Sequence, residues 1–246
     1  MHIVEELSTV WRIVARNKVR SFLTMLGIII GIMSVIVVMS VGAGAQSLIL
    51  NQVTSLGSNL VAILPGKSED SGPPASAMGI VVTTLVQDDL EAIIKSDFSG
   101  NIVAATPYVR GVDTVEWGEN TVDTSFIGVS SQLLQVEDTS LASGRFFSEE
   151  EENNLGKVAV LGSQVVKELF PNTDPLGKKI KIKKTTFTII GTMVERGTSA
   201  FQNQDNQIYV PISTAQKLLL GIEYISFARL KIATADKVDA SVEYIK

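Results

Sequence analysis

The 246-residue chain has no cysteine and a single histidine, His2. Disulfide frameworks, zinc sites built on Cys or Cys/His, thiol nucleophiles and a Ser/His/Asp triad in the body are thereby excluded. Aromatics are scarce at 6%. Between Arg20 and Lys67 there is no charged residue for 46 positions, in a chain that is 19% charged. A basic surface is lacking as well. Residues 1–20 hold four basic residues (Arg12, Arg16, Lys18, Arg20) and two acidic ones (Glu5, Glu6), leaving 17 basic and 24 acidic beyond them. An acidic body argues against nucleic acid as a partner, because phosphate neutralisation needs a basic face.

What is present begins with the uncharged run. Phe22 to Val41 gives 20 consecutive, mostly apolar residues. At about 1.5 Å per residue they span roughly 30 Å, the thickness of a bilayer's hydrocarbon core. Ile, Val, Leu and Met occur on all sides, so the run lacks the polar face of a helix lying on a soluble core. Four basic residues precede the span and none follows it closely, which predicts a cytoplasmic N-terminus and a body across the membrane, placing the chain in the cell (inner) membrane. A cleaved signal is the competing reading, on the small residues Ala43, Gly44 and Ala45. The apolar run exceeds the usual signal length, and the segment before it is long and patterned.

That preceding segment, 1–20, is predicted as a cytoplasmic amphipathic helix. Ile3, Leu7, Val10, Trp11 and Val14 fall on one side, and Glu5, Glu6, Arg12 and Arg16 on the other. Gly27 and Gly31 form a GxxxG pair within the span, where another helix could approach closely. The helical pattern then continues without proline to a Gly57-Ser58-Asn59 stop, so that 21–58 reads as span plus stalk. The "PGKS" at Pro65–Ser68 is not a phosphate loop, because the required earlier glycine is Val61 and no helix follows.

The remainder, 59–246, is predicted as an α+β extracytoplasmic domain of mixed strands and helices, as one body or as two subdomains divided near Val129 or Gly144. "NLVAILPG" is an entry strand and Lys67–Gly79 a loop. "TTLVQDDLEAIIKS" is a helix opened by a Thr84/Gln87 capping box. A hairpin follows around Gly118–Thr121, in which Val112, Thr114 and Glu116 alternate against Val122, Thr124 and Phe126. Ser148 with Glu151 opens a short helix, and "KVAVLG" is a strand. "SQVVKELF" is a helix stopped by Pro171. In a second hairpin Ile180 and Ile182 share a face, while Lys178, Lys179, Lys181, Lys183 and Lys184 line its turn and outer side. "NQIYVPI", "STAQKLLLG", "YISFARLKIA" and "TADKVDASVEYIK" supply strand, helix, strand and helix.

The chemistry-bearing candidates are few. The acidic run Glu149–Glu152 suits a helix N-terminus better than a metal. Asp88 and Asp89 are adjacent on a helix, so they point about 100° apart rather than acting as an acid/base pair. No catalytic, cofactor or metal residue is predicted.

At this point the residues take on a likeness. "NKVRSFLTMLGIIIGIMSVIVVMSVGAGAQ" with "SLGSNLVAILPG" resembles the first membrane helix and stalk of MacB-type ABC transporter permeases, the macrolide-exporter and lipoprotein-release class, which is FtsX-like. "FIGVSSQLLQVEDTSLASGRFFSEEE" running into "KVAVLGSQVVKELFPNTDPLGKKIKIKKTTFTIIGTM", then "IYVPISTAQKLL", is similar to that family's extracytoplasmic core domain. The resemblance implies a four-span permease that dimerises with a second permease subunit, pairs with a cytoplasmic ABC ATPase and meets an extracytoplasmic adaptor protein. It also implies that ATP-driven closure moves the first helix and stalk, with Gly27 and Gly31 facing a neighbouring span. The family has three further membrane helices, and these 246 residues contain none of them. The alternative reading is a stand-alone membrane-anchored binding or docking module.

Overall fold

The computed structural model describes residues 18–54, 59–66, 80–95, 100–199 and 202–245. The expected N-terminal amphipathic helix up to residue 17, the Gly57-Ser58 stop and the loop 67–79 lie outside the described residues. Contacts divide the chain into two compact units between Val53 and Thr54.

The first unit is helix α1, Lys18–Thr54, 37 residues without a break. No proline interrupts it, and its apolar side chains offer no polar stripe. Its polar residues turn inward on the backbone. Thr24 Oγ1 donates to the Arg20 and Ser21 carbonyls at 3.1 and 3.0 Å, and Ser34 Oγ to the Gly31 carbonyl at 2.8 Å. Such back-bonding hides hydroxyls that an apolar surrounding could not satisfy.

The second unit is built on sheet. Strand β1 (Leu60–Ile63) leads to α2 (Gln87–Lys95) and the 16-residue β2 (Ile102–Trp117). Then come β3 (Asn120–Val129), α3 (Leu133–Val136), β4 (Leu141–Gly144) and α4 (Glu149–Asn153). They are followed by β5 (Val158–Leu161), α5 (Ser163–Leu169), β6 (Lys179–Ile182) and β7 (Thr185–Met193). A small ribbon of β8 (Thr198–Ser199) and β9 (Gln202–Asn203) precedes β10 (Gln207–Pro211). Next, α6 (Ile212–Thr214) continues as a π-helical turn, Ala215–Leu220. The last elements are β11 (Phe227–Ile232) and α7 (Val238–Ile245).

The strands run β1-β11-β2-β3-β10-β5-β7-β4, and β6 bridges β7 to β2. Because β6 touches β2 at Lys181 opposite Glu116, the strands β2, β3, β10, β5, β7 and β6 close into a ring. The closing contact is that one residue pair, so most of the ring's strands are paired on both sides while β2 keeps an unpaired stretch between Tyr108 and Glu116 on the side away from β3. The long β2 changes partner along its length. Ile102–Tyr108 pair with β11, and Val109–Trp117 with β3. Val129 and Gly144, the expected division points, both lie in strands of this one sheet; the hand-over between partners falls at Tyr108–Val109 instead.

Two apolar cores lie on opposite faces of the central strands. Phe126, Leu161, Ile189, Ile208 and Val210 enter one, together with Val165 and Leu169 of α5. Their neighbours Ile127, Val160 and Tyr209 enter the other with Leu133, Phe147 and Met193. Period-two alternation sends successive residues to opposite faces, so strands buried on both sides read as continuous apolar runs such as "VAVL" and "IYV".

Several local expectations are met, and some are revised. The Ser148 capping box is present: Glu151 N–H donates to Ser148 Oγ at 3.3 Å and Ser148 N–H to Glu151 Oε2 at 3.0 Å. The first hairpin turns at Gly118 (φ +60°) between Trp117 and Asn120. In it Val112, Thr114 and Glu116 point outward, Val112 being 74% exposed, and the inward set is Val115, Val122 and Phe126. The capping box at Thr84/Gln87 is replaced. Helix α2 starts at Gln87, and Asp89 Oδ2 accepts from Val86 N–H at 2.9 Å, because a carboxylate there also meets the positive end of the helix. Lys183 departs from the expected solvated lysine row. It adopts φ +52°, and its ammonium donates to the Leu219 carbonyl at 2.7 Å, 5.5 Å from the centre of the Phe126 ring.

Candidate functional site

No group of three or more Asp, Glu or His residues is gathered for a metal among the described residues. The acidic run is instead distributed among separate contacts. Glu151 takes both guanidinium nitrogens of Arg145 at 2.7 Å, while Glu152 turns inward to accept from Ser131 N–H at 2.8 Å. The Arg145 fork, helped by Ser148, holds the Glu151 carboxyl down to about 2. Burial pushes Glu152 the other way, above the usual carboxylate range.

Two regions stand out. The first is α1, whose residues Lys18–Val41 are long and apolar enough to cross a membrane, with mean hydropathy 2.7 and no burial. The expected span Phe22–Val41 lies wholly inside it. Gly27 and Gly31 have nothing within 4 Å of where a side chain would begin, so the strip they form is open to close approach.

The second region was not foreseen from the sequence. Glu137, just after α3, has a side chain only 5% exposed and is paired with Arg196 at 2.7 Å and Arg229 at 2.5 Å. Tyr108 Oη donates to the same carboxylate at 2.5 Å. Burial works to raise the Glu137 carboxyl, but the two guanidiniums and the phenol outweigh it and hold the group below its ordinary value. The same burial, with the Glu137 charge, pushes the Tyr108 phenol well up. Around the cluster, Tyr108 stacks on Phe227 at 4.5 Å and Arg229 lies 5.2 Å from the Tyr108 ring centre. Next to Glu137, Asp138 takes the left-handed φ of +48° and meets the Lys231 ammonium, which also donates to the Gln135 carbonyl at 3.1 Å.

The cluster ties the end of α3 to β11, to the midpoint of β2 and to the segment after β7. Tyr108 stands where β2 changes partner. Its members are 29, 59 and 92 positions from Glu137 along the chain. No spacing motif joins residues so far apart. The available signal was the isolated polar residues within otherwise apolar strand patterns, Arg229 among them.

A family profile described as "MacB-like periplasmic core domain" matches residues 21–246. Among known relatives, the macrolide export ATP-binding/permease protein MacB of Wolinella succinogenes is 36% identical over 226 residues, 92% of this chain and 34% of that protein. The protein of the same name from Bdellovibrio bacteriovorus is 35% identical over 233 residues, 95% of this chain and 35% of its own length. The chain thus spans about a third of these relatives. Among solved structures, the periplasmic region of MacB from Actinobacillus actinomycetemcomitans superposes with a TM-score of 0.66 at 22% identity, covering 78% of this chain and 83% of that one. The extracellular domain of the noncanonic ABC-type transporter YknZ from Gram-positive bacteria gives a TM-score of 0.59 at 16% identity, with coverage of 74% and 88%. At these identities the structural likeness is one of fold.

Proposed function

This chain belongs to the family of MacB-like periplasmic core domains, and on that basis we propose that it acts as the N-terminal portion of an ABC transporter permease. It carries movement driven by a cytoplasmic ATPase to an extracytoplasmic domain, which acts on a substrate outside the membrane. Residues 1–20 lie on the cytoplasmic side, 21–58 form span and stalk, and 59–246 form the extracytoplasmic core. Phe22–Val41 crosses the bilayer, and Gly27 with Gly31 faces a neighbouring span. The partners are the ATPase, a second permease subunit and an extracytoplasmic adaptor protein. The role is mechanical rather than enzymatic.

The observation that carries this reading is the unbroken α1 of a family member. Its 37 residues exceed what a bilayer requires. From Val41 to Thr54 the helix extends for roughly 20 Å at about 1.5 Å per residue. A helix that continues stiffly beyond the membrane can transmit displacement, which a flexible linker would absorb. The Glu137 cluster supports the reading from the other end, by tying β11, the partner of β1, to elements distant in sequence.

The natural absence of cysteine makes the orientation testable. A single Glu119→Cys at the exposed hairpin turn is expected to react with an impermeant maleimide in spheroplasts without lysis. Reaction that appears only after lysis would overturn the proposed topology, and with it the extracytoplasmic role.

A further inference from the structure

A groove of ≈370 Å³ lies between α2 and α4. Its apolar lining comes from Leu90, Ile94, Ala105 and Pro107, and its acidic wall from Glu91, Glu149 and Glu152. The ammonium in the lining, Lys95, is already paired with Glu91 at 2.8 Å. Glu152 is only 6% exposed and accepts from Ser131 N–H. Among the described residues no cation pairs with it. A buried carboxylate is ordinarily paired, since an uncompensated charge in an apolar surrounding is costly. Here the missing partner would have to be cationic and to reach past apolar surface.

We propose that this groove docks a segment of a polypeptide partner that carries lysine or arginine between apolar residues. The aliphatic stem of the basic side chain lies along Leu90, Ile94 and Pro107, and its charged head meets Glu152. Long basic side chains combine an apolar stem with a cationic tip, which matches the order of surfaces in the groove. The volume is near the lower end of ligand pockets, room for one or two side chains rather than a large enclosed molecule. A second copy of the acidic wall would repel it, so charge complementarity favours a basic partner. The inference stands on the groove alone and goes beyond the transport reading.

The test uses the full chain in nanodiscs of zwitterionic lipid and a fluorescent probe peptide, acetyl-Ala-Leu-Lys-Leu-Ala, alongside a version with norleucine in place of lysine. The lysine peptide is expected to bind about tenfold more tightly, the scale of one charge-assisted contact. Glu152→Gln keeps an oxygen for Ser131 N–H, and it is expected to abolish that preference while leaving the norleucine peptide unchanged. The retained norleucine binding also reports that the variant is folded. As a second variant, Ile94→Gln is expected to weaken both peptides. Equal binding of the two peptides, or an undiminished preference in Glu152→Gln, would overturn the proposal. So would displacement of the lysine peptide by butylammonium at equal concentration, which would make the groove a small-cation site. Failure of the Glu119→Cys labelling test with peptide binding intact would count against the transport reading alone.

Discussion

Two buried glutamates carry opposite consequences for stability. The Glu137 carboxyl is held below its ordinary value of 4.5 by Arg196 and Arg229, against the opposing effect of burial. Its contribution is therefore complete above that value and is lost as pH falls through the lower folded value. The Glu152 carboxyl is raised by burial. Its charged form costs stability at neutral pH, and that cost disappears as pH falls through its raised value toward 4.5. Two measurements separate them. Urea denaturation of Glu137→Ala at pH 7 is expected to show a loss of about 3–5 kcal/mol, because two guanidiniums are left without their counter-charge. The deficit should shrink as the pH falls from 4.5, where the unfolded carboxyl takes up its proton, through the lower folded value, below which the wild-type carboxyl is itself protonated. Glu152→Gln at pH 7 is expected to be neutral or slightly stabilising by the same measurement. Neither role is legible in the sequence. Glu152 reads there as one of four acids at a helix N-terminus, and Glu137 is not marked out at all, since burial and the arrival of distant arginines are properties of the folded chain.

Among the elements, capping and turn chemistry are local and could be read directly. Ser148 with Glu151, Gly118 in the first hairpin and the halt of α5 before Pro171 involve residues within a few positions of one another. Where a local signal had a competitor, the structure decided. Asp89 rather than Thr84 caps α2, and Val112 faces outward because Val115, Val122 and Phe126 fill the inner face. Contacts between β4 and β7 depend on close backbone approach that the sequence only hints at through its glycines. At Gly144 (φ +75°) an added Cβ would lie 2.3 Å from the Ile190 carbonyl oxygen and 2.8 Å from Gly191 Cα. Gly144→Ala is therefore expected to cost about 1–3 kcal/mol, read as a lowered thermal midpoint. Helix α1 supplies a functional prediction. Inserting Gly-Gly after Gln46 interrupts the helix beyond the proposed span, and glycine is among the poorest helix formers. Membrane insertion and assembly are expected to persist, while transport by the complete permease is lost. Unchanged transport would remove the mechanical role assigned to α1.

At the scale of the whole molecule, the sheet-rich unit is expected to melt as one transition in calorimetry. Its strands form a ring closed by β6, and its two cores share β5, β7 and β10, so neither can come apart alone. Two resolved transitions would show that the hand-over at Tyr108–Val109 separates independent parts. The sequence by itself determined the long apolar helix, the mixed strand and helix content, the hairpins and the likeness to a known family, because each depends on periodicity, capping or ordered blocks of contiguous residues. The tertiary structure decided the closed ring, the change of partner along β2, the Glu137 cluster and the acidic groove. These join residues tens of positions apart, and their energies arise from burial and from charges meeting at a few ångströms, which no pattern along the chain encodes.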